Sequence, residues 1–312
     1  MSSFSSENGQ AREDNVLERI AQIVGRRNIP SGEIHIGDDA AVLSPFLGQV
    51  VISTDVAVYG VHLEIDLFSL EDLGFKAVTS ALSDLAAMGA HPRGLTVAVS
   101  APPGVDIEQL HRGIALASEV TGCPVVGGDL SSATDISVAV SVFGEVPLAQ
   151  AVLRTGARSG DEIFVTGVLG RASAGLRLRR GGAALEDELV QAQCRPLPRL
   201  DEGVAARESG ASAMMDLSDG IGLDLHRLAT ASNVGFAVTQ IPVAVGATLQ
   251  EAISGGEDYE LLITTSDPEK LRTTFLDRGL REPISIGTIV SDPASRTLEG
   301  HPFEKQGWEH QL

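Results

Sequence analysis

Six short acidic clusters, each set among Gly, Ser or Thr, recur along the chain: Gly37-Asp38-Asp39, Ser53-Thr54-Asp55, Leu82-Ser83-Asp84, Gly127-Gly128-Asp129, Asp216-Leu217-Ser218-Asp219-Gly220 and Gly255-Gly256-Glu257-Asp258. None contains a Lys or Arg. Carboxylates packed this densely repel one another unless a cation or hydrogen-bond donors lie between them. Small neighbours let a cation approach closely, and hard divalent cations prefer oxygen ligands. The clusters therefore point to several Mg²⁺ ions gathered around phosphate groups.

The length of 312 residues suits two domains or one large one. Hydrophobic residues make up 43% and aromatics only 4%, so the core must be built from Ala, Val, Leu and Ile. A net charge of −19 argues against nucleic acid as a partner, because phosphate backbones need basic surface. Bound metal ions would still allow an acidic protein to hold a nucleotide; solubility alone is the simpler account of the charge. The two cysteines, Cys123 and Cys194, lack metal-ligand spacing and imply a reduced, cytoplasmic setting. No apolar run reaches the roughly 18 residues of a membrane span, and residues 1–14 read as a polar, disordered start.

Hydrophobic spacing predicts helices over 15–25, 70–89, 106–121, 172–180, 199–209 and 220–232. In the second of these, Phe75, Val78, Leu82 and Leu85 fall on one face. Val50 to Ser53 reads as a buried strand delivering Thr54-Asp55 at its end, and 124–128 as a short strand running into Asp129. Further strands are expected over 94–100, 136–146, 162–166, 236–241 and 259–264. Pro147 is the candidate boundary, separating an N-terminal domain, 15–147, from a C-terminal domain, 148–312. A faint echo links Leu82-Ser83-Asp84 and Gly127-Gly128-Asp129 with Leu217-Ser218-Asp219 and Gly255-Gly256-Glu257, which suggests two halves of related plan.

The chain has neither a Walker loop nor a GxGxxG opening a helix, so phosphates must be held by metal bridges and the amides of Gly-rich turns. Gly127-Gly128 after an apolar strand is a candidate amide nest, although Gly-Gly-Asp is also a common turn. Asp216 and Ser218 have a simpler account as a helix N-cap pair, Asp38-Asp39 as a loop acid pair, and His62 as a half-buried histidine. Arg154 occupies a turn and offers a phosphate its fork of donors. Trp308 either stacks on an aromatic ligand or anchors the tail.

Taken in order, Ile36-Gly37-Asp38-Asp39-Ala40-Ala41, Ser53-Thr54-Asp55 with Gly60-Val61-His62, Leu82 to Ala90, Gly127-Gly128-Asp129, Arg195-Pro196-Leu197-Pro198-Arg199, Met215 to Gly220 and Ser254 to Leu261 resemble the thiamine-monophosphate kinase family, within the aminoimidazole ribonucleotide synthetase-like superfamily. The resemblance runs from about residue 15 to 310. It implies ATP-dependent phosphorylation of thiamine monophosphate to thiamine diphosphate, with several Mg²⁺ ions and ATP as co-substrate. It also implies a two-domain α+β aminoimidazole ribonucleotide synthetase-like fold whose N-terminal sheets, in the metal- and nucleotide-binding domain, pair across a homodimer. By position, Asp39, Ser53, Thr54, Asp55, Asp84, Asp129, Asp216 and Asp219 would be metal ligands, with Asp84, Asp129 and Asp219 central to catalysis. Gly128, Asp129, Arg154 and Ser218 would contact the nucleotide, and His62, Glu257 and Trp308 the thiamine side. Ala81, Leu130, Cys194 and Leu63 stand where the family commonly has Asn, Thr, His and an aromatic; none of these departures removes a carboxylate. Another ATP-dependent enzyme of the superfamily, or a non-catalytic nucleotide-binding regulator, are the alternatives.

Overall fold

The computed structural model describes residues 7–25, 29–64 and 66–309. The first helix, α1, covers Glu7–Val24, so its backbone begins well before residue 15 and most of the stretch read as a disordered start is helical; residues 1–6 lie outside the described residues. There follow β1 (Gln49–Val58), α2 (Leu70–Ala87), β2 (His91–Ala101), α3 (Ile107–Thr121), β3 (Val125–Ser132) and β4 (Ser137–Val146). The rest of the chain forms β5 (Glu162–Val165), α4 (Arg171–Arg180), α5 (Glu188–Cys194), α6 (Leu200–Ser209), β6 (Ala213–Asp216), α7 (Ile221–Ser232), β7 (Gly235–Val238), α8 (Leu249–Ser254), β8 (Leu261–Thr265), α9 (Pro268–Asp277), β9 (Ile284–Val290), β10 (Arg296–Leu298) and β11 (His301–Pro302).

Two sheets result, a four-stranded one in the order β1-β4-β2-β3 and a seven-stranded one in the order β11-β10-β7-β9-β5-β8-β6. Backbone contacts group the residues into two compact units. The first holds the chain up to Pro45 with Thr54–Val78 and Arg93–Ser141; the second holds Phe46–Ser53, Thr79–Pro92 and everything from Val142 on. Among the described residues no helix is long and apolar enough to cross a membrane.

In the first unit, β2 and β3 run parallel, with Val97 opposite Gly128 and Ala98 opposite Asp129. Helix α3 carries clear boundary signals: the Asp106 carboxylate accepts from the Gln109 N–H at its start, and Gly122 ends it in the left-handed region. Strand β1 departs from expectation. It continues past Thr54 and Asp55, which lie mid-strand, and it is not buried: Val50, Ile52 and Val56 are 48%, 70% and 50% exposed. Among the described residues β1 is an end strand of its sheet, and the exposed face it presents there is apolar. Strand β3 likewise extends past Gly128, so Asp129 sits within it.

In the second unit, alternation along the strands feeds two cores. Ile163, Val165, Ala213, Met215 and Leu262 point to one, while Phe164, Met214, Leu261 and Ile263 point to the other. With both faces covered, these strands read as continuous apolar runs rather than as alternating ones. Helix α2 differs from its prediction in a similar way. Phe75, Val78, Leu82 and Leu85 are buried as expected, but so are Lys76, Thr79, Ala81 and Ser83. The helix is covered nearly all round rather than along one stripe.

Candidate active site

In the first unit a cleft of about 790 Å³ is lined by Leu17, Ile20, Ala21 and Val24 of α1, by His111 and Ile114 of α3, and by the loop 36–41 and residues 125–130. It brings Asp38 and Asp39 to the same cleft as Gly127, Gly128 and Asp129. A short bridge holds the ends of the acidic loop: Ile34 and Val42 exchange both backbone hydrogen bonds, at 2.8 and 2.7 Å. Beside it the Glu33 carboxylate accepts from His35 Nε2 at 2.9 Å and from the Ser44 N–H at 3.0 Å. These two bonds hold its pKa down at about 2. Gly128 is required where it stands, because a Cβ there would overlap the Val97 carbonyl of the neighbouring strand. Asp129 is exposed and accepts from Ser131 Oγ at 2.9 Å. Burial pushes the His111 imidazole below its usual range, although Ile107 O accepts from its Nδ1 at 2.8 Å.

Thr54 and His62 also belong to this unit. Thr54 Oγ1 and Ser141 Oγ are 2.8 Å apart. His62 lies in the turn after β1, where its Nδ1 accepts from the Val58 N–H at 3.0 Å. That bond places the ring proton on Nε2, so Nε2–H is a donor. The buried ammonium of Lys76 donates to the His62 carbonyl at 3.0 Å and fixes the turn.

The second unit assembles the remaining carboxylates. Ser53 Oγ donates to Asp84 Oδ2 at 2.5 Å, and Ser83 Oγ donates to Asp216 Oδ2 at 2.7 Å. Asp216 ends β6 and is buried. Burial, and then the charge of Asp84, push its pKa up to about 7, against the opposing pull of Ser83 and Arg154. Asp84, Asp216 and the exposed Arg154 are thus electrostatic neighbours. The N-cap account of Asp216 and Ser218 does not hold: the N-cap of α7 is Gly220, with φ 103° and no side-chain cap. Asp224, in the first turn of α7, accepts from the N–H of Asp219, just before the cap, at 3.0 Å. Asp219 itself is paired with Arg227, whose Nη1 also reaches Asp224 Oδ1 at 2.8 Å. Burial pushes Asp224 up to about 6, offset by those donors.

Backbone bonds strap the late Gly-Gly-Glu-Asp segment along this motif. Glu257 N–H donates to Ser218 O at 2.7 Å, Tyr259 N–H to Leu217 O at 3.0 Å, and Leu217 N–H to Glu260 O at 2.8 Å. Trp308 N–H donates to Asp219 O at 2.9 Å, and its indole is 54% exposed. Ser218, Asp219, Glu257 and Trp308 are therefore one cluster. Neighbouring acids serve the fold. Asp258 accepts from the Gly170 and Ala172 N–H groups at 2.6 and 3.1 Å at the start of α4, and burial pushes it up to about 7. Glu260 takes a two-pronged pair from Arg199, at 2.9 and 2.6 Å, and a bond from Thr166 Oγ1 at 2.6 Å.

The faint internal echo is not structural: Leu82-Ser83-Asp84 lies inside a helix, whereas Leu217-Ser218-Asp219 lies in a bend. Sequence reasoning missed Gln193, His111, Asp224 and Arg227. Of these only the i, i+3 spacing of Asp224 and Arg227 carried a signal. Among the described residues, no three His, Cys, Asp or Glu side chains converge as a ready-made metal site. The donor chemistry nevertheless fits a hard cation. Asp84, Asp216, Ser53 and Ser83 offer only oxygens, and the mutual repulsion that raises Asp216 is the kind a divalent ion relieves.

Residues 37–146 match the AIR synthase related protein, N-terminal domain, and residues 158–298 match the AIR synthase related protein, C-terminal domain. The chain is 32% identical over 311 residues to the thiamine-monophosphate kinase of Mycobacterium tuberculosis, covering 94% of this chain and 90% of that one. It is 37% identical over 302 residues to that of Salmonella typhimurium, covering 89% and 92%. The crystal structure of thiamine-monophosphate kinase from Stenotrophomonas maltophilia K279a superposes with a TM-score of 0.79 at 32% identity, covering 91% of this chain and 95% of that one. AaThiL complexed with AMPPCP and TMP superposes with a TM-score of 0.76 at 27% identity, covering 100% of both chains. The departures from the family pattern fall where apolar groups are easily accommodated: Leu63, Ala81 and Cys194 are buried, and Leu130 lines the cleft. With its acidic strings intact and this identity sustained over nine-tenths of its length, the chain belongs to the thiamine-monophosphate kinase family.

Proposed function

We propose that this protein transfers the γ-phosphoryl group of ATP directly to thiamine monophosphate, releasing ADP and thiamine diphosphate. The observation that carries this reading is the clustering of Ser218, Asp219, Glu257 and Trp308 by backbone bonds in the second unit, in a chain whose relatives are kinases of this substrate. A carboxylate and an exposed indole face suit a cationic thiazolium ring. In the first unit His62, with its proton on Nε2, suits an anionic or carbonyl acceptor. The cleft of the first unit combines apolar walls with Gly128 and Asp129, which suits a nucleoside joined to phosphates. In the second unit, Arg154 and Ser218 offer a guanidinium and a hydroxyl suited to phosphate oxygens.

The acceptor is already a phosphate monoester, largely ionised near neutral pH (second pKa about 6), so no protein base is needed to activate it. The obstacle is the approach of two anions. Asp39, Thr54, Asp55 and Asp129 of the first unit, and Ser53, Asp84, Asp216 and Asp219 of the second, would hold Mg²⁺ ions. When bound, such ions screen phosphate charge and lower the barrier to in-line transfer. Ser53 and Ser83 orient two of these carboxylates.

The first domain, 15–147, would bind metal and nucleotide and make a homodimer through β1, whose exposed Val50, Ile52 and Val56 suit burial against a second sheet. Two free, buried cysteines are consistent with a cytoplasmic setting. A coupled assay for ADP with thiamine monophosphate, thiamine or no acceptor tests the reading. ADP formation should require thiamine monophosphate; equal ADP without it, or none with it, overturns the proposal.

A further inference from the structure

We propose that Gln193 is a positioning residue that aims the Glu257 carboxylate at the positively charged ring of the substrate. The inference rests on the assignment of Glu257 to the thiamine side. Gln193 is buried, 3% exposed, and its Nε2 donates to Glu257 Oε2 at 3.0 Å. A carboxylate can only accept, so the amide must present its nitrogen, and the amide orientation is fixed by chemistry.

The donor stands on a rigid base. The Asp187 carboxylate caps α5 by accepting from the Leu189 and Val190 N–H groups at 2.9 and 3.3 Å. Helix α5 is packed so closely on α4 that a Cβ on Gly175 would overlap the Leu189 carbonyl. The acceptor, by contrast, sits on strained backbone: Glu257 has φ 58° and Tyr259 φ 49°, in a region that side-chain-bearing residues avoid. Such strain persists where surrounding structure over-determines it, and it clusters at ligand sites. Here the Ser218 carbonyl fixes the Glu257 backbone and Gln193 fixes one carboxylate oxygen. The rotation of the carboxylate about its own axis is thereby limited. Holding a charged ligand contact from a buried donor on a helix is how a site limits side-chain freedom before substrate arrives.

A positioning role separates kinetically from a structural one. Gln193→Met keeps the length and removes the donor. It should raise the KM for thiamine monophosphate about tenfold, while the KM for ATP and kcat stay within about twofold. Gln193→Glu keeps shape but sets a second carboxyl against Glu257. Its KM for thiamine monophosphate, relative to the unmodified protein at each pH, should rise as pH is raised. If the Met variant does not fold, the Glu variant decides by the same ratio. An equal rise in both KM values, or no rise in either, overturns the inference. Glu257→Gln is the control. If it raises the KM for thiamine monophosphate and the Gln193 variants do not, the Gln193 inference alone falls. If it leaves that KM unchanged, the Glu257 assignment falls as well.

Discussion

Asp84→Asn should abolish most turnover without costing stability. Asp84 lies on α2, partly exposed, accepts from Ser53 Oγ at 2.5 Å, and raises the pKa of buried Asp216 by its charge. Asparagine has the same shape and keeps an oxygen for Ser53, so the packing of α2 is untouched. What disappears is one negative charge beside a buried carboxylate. In the folded protein this removes a repulsion, so thermal stability should hold or increase, by a gain on the order of 1 kcal/mol, which is a shift of about 2–4 °C. In the reaction the same change removes a charged oxygen donor from the place where phosphate charge is to be compensated. Loss of one preorganised electrostatic contact of this kind costs about 10²–10³ in kcat, or roughly 3–4 kcal/mol. The measurements are kcat by coupled ADP release at saturating ATP, Mg²⁺ and thiamine monophosphate, and the melting midpoint by circular dichroism. Near-normal turnover would refute the catalytic placement. A loss of more than about 2 kcal/mol of stability would show that Asp84 is held for the fold and that its carboxylate is satisfied rather than strained.

Asp258 titrates at about 7 in the folded chain, against 3.8 for the ordinary group. Folding is therefore favoured by this site below about pH 4, and that advantage, about 4 kcal/mol at most, is lost as pH rises towards 7. Asp258→Asn should remove this dependence, so that the difference in melting midpoint between the two proteins changes progressively from pH 4 to pH 7; a constant difference refutes it. Arg199→Met strands the buried Glu260 carboxylate and should cost about 3–5 kcal/mol. Arg199→Met combined with Glu260→Met should recover most of that loss in denaturant unfolding. Ile52→Lys, placed on the 70% exposed face of β1, should shift sedimentation from dimer to monomer; a monomeric unmodified protein would remove the dimer proposal.

Much of the fold was legible in local signals. Helices α3 and α7 end at Gly122 and Asn233, both in the left-handed region and directly after the predicted spans 106–121 and 220–232, and β4, α4 and α6 lie within a residue or so of their predicted spans. Elements were missed where local and tertiary signals part. Helix α5 has seven residues, fewer than two turns, so no period can be read from it. Strand β1 carries apolar runs at 50–52 and 56–58 and so reads as buried, yet it offers Val50, Ile52 and Val56 to solvent, because a sequence pattern reports which residues must be covered, not what covers them.

The acidic strings show why composition alone could not divide the site. Adjacent carboxylates in one string have different donors: Glu257 accepts from the side chain of Gln193, whereas Asp258 accepts from two backbone N–H groups at a helix start. Asp219 and Asp224 are divided less sharply: Arg227 pairs with both, and Asp224 also takes the amide of Asp219. The separating variable is the number of donors that the fold supplies to each oxygen. Asp258, Glu260 and Asp224 have theirs from backbone, arginine or threonine, and need no further cation. Asp84 and Asp216 receive one serine hydroxyl each. Carboxylates supplied with few donors are the ones a bound cation would serve. That distinction depends on the Thr166, Gly170 and Arg199 groups that reach them from far along the chain, so it exists only in the folded protein.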